Sequence, residues 1–97
     1  MRVIWSLLAL ERVNEIADYI AENNLEAAKL FLVDIFGAVE RLRDFPNSGR
    51  VVPEVTRQNI REIIFKNYRV VYRVERKRVS ILTVRHGKQL LPFEDIK

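Results

Sequence analysis

The segment Tyr68–Glu75 reads YRVVYRVE and alternates aromatic or branched residues with charged ones on a period of two. Side chains alternate across a strand, so Tyr68, Val70, Tyr72 and Val74 share one face while Arg69, Val71, Arg73 and Glu75 share the other. Strand-like runs flank it: Arg61–Lys66 (REIIFK) before, and Arg78–Arg85 (RVSILTVR) after. Asn67 separates the first pair and Arg76 with Lys77 the second, which predicts tight antiparallel turns and a three-strand meander. Such a sheet needs a cover for its apolar face, and the rest of the chain must supply it.

The cover is legible upstream. Arg2–Trp5 (RVIW) is a short run with strand propensity, and Ser6 after it is a good helix N-cap. From Leu7 the period changes: Ala9, Val13, Ile16, Ala17 and Ile20 recur at three- and four-residue steps, with charged residues between them. This predicts an amphipathic helix over 7–22. Asn23 or Asn24 caps a second helix, Asn23 with Glu26 as a capping-box partner. Ala28, Phe31, Leu32, Ile35, Val39 and Leu42 carry it to about Arg43, Gly37 marks a weak spot or a close-packing point within it, and Pro46 ends it. The short connection predicts an antiparallel helical hairpin. The expected fold is α+β, in the order β-α-α-β-β-β. The hairpin packs on one face of a small, mainly antiparallel sheet, and the other face stays open to solvent or a partner.

Two stretches lack a period. Asp44–Asn59 holds two prolines, a glycine and several turn formers, and is expected to be an irregular connection pinned to the core by Val51, Val52 and Val55, with Arg50 and Glu54 paired inside it. The tail Leu91–Lys97 keeps Leu91, Phe93 and Ile96, which either fold back over the helices or present an apolar hook to a target. Trp5, Tyr68 and Tyr72 are expected in the core, and Arg76–Arg78 as a solvated turn.

With 97 residues the chain has material for one domain spanning 1–97, since at this size only about two-thirds of the unfolded surface is buried. It has no cysteine and one histidine, which excludes disulfides, thiolate chemistry and a His-rich zinc site. No cofactor is expected. No apolar stretch approaches the about 20 residues of a membrane span, and the N-terminus lacks a secretory pattern, so a cytoplasmic protein is expected. Charge is segregated: residues 1–48 carry a net −3 and residues 49–97 a net +7. Such a division suggests a basic face that meets nucleic acid or an acidic protein segment.

Gly49-Arg50 with Pro53-Glu54, then Tyr68–Val74 (YRVVYRV), then Val84-Arg85-His86-Gly87-Lys88 follow a helical hairpin in a fixed order and spacing. From about Arg2 to Gln89 the chain resembles toxins of the RelE/ParE superfamily, and it looks most like the ParE branch, also known as plasmid stabilisation proteins. The resemblance implies a type II toxin that inhibits DNA gyrase, neutralised by an acidic cognate antitoxin in an oligomeric complex. The alternative it implies is a RelE-like endonuclease that cuts messenger RNA on the ribosome. A third is a member that retains only antitoxin binding. Arg61, Arg69, Arg73, Arg85, Lys88 and Phe93 are the expected antitoxin or target contacts.

The nuclease alternative would use Arg69, His86 and Lys88. Cleavage through a 2′-hydroxyl needs a base, cationic donors for the phosphate and an acid for the leaving oxygen. Arg69 matches the strand arginine of the RelE pattern, and histidine is suited to proton transfer near neutral pH. Yet Gln89 stands where that pattern usually has an arginine, no tyrosine follows it, and Ile63, Ile64 and Phe65 occupy strand positions where lysines are expected. His86 is expected to make a backbone hydrogen bond or cap the sheet edge, ahead of acting as an acid or base.

Overall fold

The structure, a computed structural model, describes residues 1–96. It runs β1 (Arg2–Trp5), α1 (Leu7–Ala21), α2 (Leu25–Glu40), a 3-10 turn (Arg41–Arg43), β2 (Arg50–Val51), β3 (Ile60–Phe65), β4 (Tyr68–Val74), β5 (Arg78–His86) and a last 3-10 turn (Phe93–Asp95). The fold is the expected α+β arrangement, with one short strand added inside the irregular connection. The five strands are ordered β1-β5-β4-β3-β2. All neighbours are antiparallel except β1 and β5, which pair in parallel with Arg2 opposite Arg78 and Trp5 opposite Ile81. Among the described residues no helix is long and apolar enough to cross a membrane.

Local chemistry starts each helix. Ser6 Oγ accepts from Ala9 N at 3.0 Å and donates to Leu82 O at 3.0 Å, so the residue that caps α1 also fastens it to β5. Asn24, rather than Asn23, caps α2 by accepting from Ala27 N. Ala9, Val13 and Ala17 of α1 and Phe31, Ile35 and Val39 of α2 then meet Leu42, Val70, Tyr72, Val79, Ile81 and Val84 in the larger core. Trp5 and Tyr68 pack against its margin.

The second face of the sheet is not open. Val52, Ile60, Val71, Leu82, Leu91 and Ile96 form a separate buried cluster there, with Val55 against it. The connection before β3 and the C-terminal tail fold across this face, so Leu91 and Ile96 of the tail cover the sheet and not, as expected of a tail that folds back, the helices. Val71 between two arginines supplies the reason: an apolar row on that face needs its own cover. A bulge adjusts β5 to both cores. Val71 opposes Thr83 and Tyr72 opposes Ile81, leaving Leu82 as the extra residue. Ile81 and Val84 thereby face the helices while Leu82 joins the smaller cluster.

Tyr72 closes the larger core at its far end. Its hydroxyl donates to Pro46 O at 2.8 Å and accepts from Gly49 N at 3.0 Å, which holds the connection against β4; burial raises its pKa. A Cβ at Gly49 would lie 2.5 Å from Glu62 O and 2.6 Å from the Tyr72 hydroxyl, whereas one at Gly37 would meet nothing within 4 Å. Gly37 is therefore no close-packing point. Gly49→Ala is expected to lower unfolding free energy by about 2–3 kcal/mol, and Gly37→Ala to raise it by about 0.5–1 kcal/mol through helix propensity. Chemical denaturation of the two variants checks both signs.

Candidate functional site

Glu62 sits at the middle of β3 and is 1% exposed. A carboxylate there must be neutralised by charged neighbours at close range. Arg50, its cross-strand partner on β2, donates from Nε to Oε2 at 2.6 Å, and Arg69 on β4 donates from Nε to Oε1 at 2.7 Å. Arg69 then uses its other two nitrogens on Glu54 in a fork, Nη1 to Oε2 at 2.8 Å and Nη2 to Oε1 at 2.7 Å. Nη1 also donates to Gln89 O at 3.1 Å, and Glu54 Oε2 accepts from Leu91 N at 3.2 Å. One guanidinium thus ties β3, β4, the connection and the tail together.

The sequence reading placed Arg69 and Arg73 on the face away from the helices, and there they are, but Arg69 is 5% exposed and each of its three nitrogens is engaged within the chain. It is not a displayed cation. The expected Arg50–Glu54 pair is likewise replaced: Arg50 holds Glu62 and Arg69 holds Glu54. Arg73 donates from Nη2 to Ile96 O at 3.0 Å, and Arg85 donates from Nε to Asp95 Oδ2 at 2.9 Å, beside a bond from Thr83 Oγ1 to the same oxygen. Arg61 turns toward the connection and donates to Gly49 O at 2.8 Å and to Gln58 O at 3.0 Å. Four of the six expected contact residues therefore hold the chain's own cover in place.

Lys88 and Phe93 are exposed, Phe93 at 66%. Phe93 borders a hollow of about 270 Å³ lined by Glu54, Val55, Arg57, Ile60, Leu91 and Ile96. His86 lies at the end of β5 with its ring edge-to-face on Tyr68, centroids 5.8 Å apart, and its Nδ1 accepts from Lys88 N at 3.2 Å. His86 and Lys88 line a common hollow with Lys66, and Arg69 does not. Sequence reasoning missed Lys66 by placing it inside a strand; it lies in the two-residue turn Lys66–Asn67 before β4, at the same sheet end as His86. Among the described residues no cluster of His, Asp and Glu has the makings of a metal site.

The hairpin over a five-stranded sheet is the architecture of a solved chain from the chromosomal ParDE TA system of P. aeruginosa, with a TM-score of 0.76 over 91% of this chain and 97% of that one, at 23% identity. The sequence carries the relation further than the fold. Residues 3–91 match the family described as ParE toxin of type II toxin-antitoxin system, parDE, and the chain belongs to that family. It is also 37% identical over 93 residues to Y4kP of Sinorhizobium fredii (strain NBRC 101917 / NGR234), a protein whose name marks it as a candidate toxin, covering 94% of this chain and 93% of that protein.

The Arg69 fork sets an acid sensitivity. It holds the Glu54 carboxyl at about 2, well below its ordinary 4.5, against the opposing pull of burial. A carboxyl depressed in the folded state stabilises it fully above the ordinary value and loses that contribution as pH falls toward 2. Glu54→Gln should therefore cost about 1–2 kcal/mol at neutral pH, a figure discounted for the partial exposure of the pair, and much less near pH 2. Urea unfolding of both proteins across this range checks it, and the difference between them removes other carboxylates such as Glu75, which Arg78 and Ser80 also hold low.

Proposed function

We propose that this ParE-family toxin acts on DNA gyrase by protein contact and is neutralised by an acidic cognate antitoxin in the cytoplasm. The observation that carries this reading is the separation of the nuclease set. Arg69 is locked under the tail by Glu54 and Glu62, while His86 and Lys88 stand at the sheet corner. With Nδ1 accepting from Lys88 N, a neutral His86 carries its proton on Nε2 and offers a donor, not the acceptor that removal of a 2′-hydroxyl proton requires. Among the described residues neither a tyrosine nor a carboxylate lines the hollow that His86 shares with Lys88; Tyr68 and Glu15 line the hollow on the other side of His86.

The surfaces suited to protein contact lie elsewhere. Leu90 and Phe93, 82% and 66% exposed, stand out from a tail that is otherwise anchored by Leu91 and Ile96, and offer the target an apolar hook on a fixed base. Leu30 and Val33 of α2 and Ile64 of β3 are also exposed. Near them Arg41 and Lys66 border a hollow between α2 and β3, a combination suited to an antitoxin segment that mixes apolar and acidic residues in an oligomeric toxin–antitoxin complex.

Incubation of the toxin with gyrase and supercoiled DNA should trap double-strand breaks, while message on translating ribosomes stays intact. Phe93→Ala should weaken gyrase poisoning by about 10-fold, the loss of a contact worth roughly 1.5 kcal/mol, with unchanged melting temperature. Cleaved message with gyrase unaffected would overturn the reading in favour of the ribosomal nuclease. Silence in both assays would leave a protein that only binds its antitoxin.

A further inference from the structure

The corner where the β3–β4 turn meets the end of β5 holds a concavity of about 260 Å³ lined by Ile64, Lys66, Asn67, His86, Gly87 and Lys88. Its walls are fixed by the backbone. Lys66 takes a left-handed conformation, φ 53°, to turn the chain between the strands. Gly87 N donates to Asn67 O at 2.7 Å and locks that turn against the end of β5, an approach that a Cβ at Gly87, 3.2 Å from the same oxygen, would crowd.

The polar groups of this lining are mostly donors. The two ammonium groups can only donate, Asn67 carries an amide NH₂, and the Nδ1 bond from Lys88 N leaves His86 to present Nε2–H. Among the described residues no carboxylate lines the concavity; Glu15 and Asp34 line adjoining hollows that share His86 and Lys66 with it. The chain's use of its acidic residues sharpens the contrast. Arg50, Arg69, Arg73, Arg78 and Arg85 each have a carboxylate within 4.0 Å, whereas among the described residues neither Lys66 nor Lys88 has one. Lys66 Nζ lies over the Phe65 ring, 5.5 Å from its centroid, a contact worth about 0.5–1 kcal/mol at an exposed site and easily shared with an anion.

We propose that this corner is a phosphate-binding site, which takes either a backbone phosphate of DNA or free phosphate. Lys66 and Lys88 neutralise the charge and His86 Nε2–H donates to one oxygen. Ile64, 57% exposed at the rim, offers an apolar surface to an attached sugar. The site binds without cleaving, because the lining holds no group placed as a base. It stands independently of gyrase as the target, since it concerns the isolated toxin.

The test is a titration of the full-length toxin, followed by amide NMR, with inorganic phosphate, with a short single-stranded oligodeoxynucleotide, and with chloride at matched ionic strength. Saturable shifts at Asn67, Gly87 and Lys88 with phosphate or with oligonucleotide support the site, and which of the two gives them assigns its source. Lys66→Gln/Lys88→Gln should abolish them at unchanged melting temperature, with Lys88→Gln alone as the milder variant. If the oligonucleotide binds, the double variant should lower the slope of log affinity on log salt by about 1.4, about 0.7 per lost contact on a single strand. Equal shifts with chloride, or undiminished binding by the double variant, would overturn the assignment.

Discussion

A carboxylate at the centre of β3 is the constraint around which the second half of this fold is arranged. Glu62 is fully buried on a sheet face that also carries Ile60 and Val71, and a bare charge there would cost several kcal/mol. Arg69 answers it and, in doing so, becomes a second buried charge that needs its own partners. Glu54 supplies them from the connection, and its remaining acceptor capacity captures the Leu91 amide at the root of the tail. Each group satisfied one demand and created the next, until the chain ends of the cover were joined to the sheet.

This chain of compensation explains why a basic C-terminal half does not present a uniformly basic face. The arginines hold the cover: Arg50 and Arg69 on Glu62, Arg73 on the Ile96 carbonyl, Arg85 on Asp95 and Arg61 on loop carbonyls. Guanidinium groups suit this work because they donate in several fixed directions at once. Among the described residues the lysines at the corner, Lys66 and Lys88, have no carboxylate within 4.0 Å and take no part in this work. The surfaces proposed for binding are thereby separate in position: the exposed Leu90 and Phe93 on the tail, the hollow beside α2 and the donor-rich hollow at the turn.

Much of the fold was readable because its signals are local. The four-residue spacing of Ala9, Val13 and Ala17, the Ser6 cap and the period of two in Tyr68–Val74 each depend on neighbours a few residues away. The features that escaped are those set by distant partners. β2 is two residues long and exists only through pairing with β3; β1 finds β5 across 76 residues, and Leu82 in the run Ser80-Ile81-Leu82-Thr83-Val84 gives no outward sign of a bulge. The covering of the second face had a sign that went unread. Val71 between Arg69 and Arg73, and Glu62 inside IREIIF, are odd residues for an open face and a buried strand respectively, and together they imply a roof with a charge beneath it. Reading the arginines as displayed overlooked that Arg69, Arg73 and Arg85 bond to the chain's own cover.

The central claim is that the Arg69 network fastens the connection and tail as one unit, distinct from the helical side. Native-state hydrogen exchange on Arg69→Met tests it most directly. The account predicts that the amides of Val55, Thr56, Leu91 and Ile96 lose protection together while those in the middle of α1 and α2 keep theirs relative to global unfolding. Unchanged protection at Val55 and Leu91, or equal loss in the helices and the cover, would contradict it.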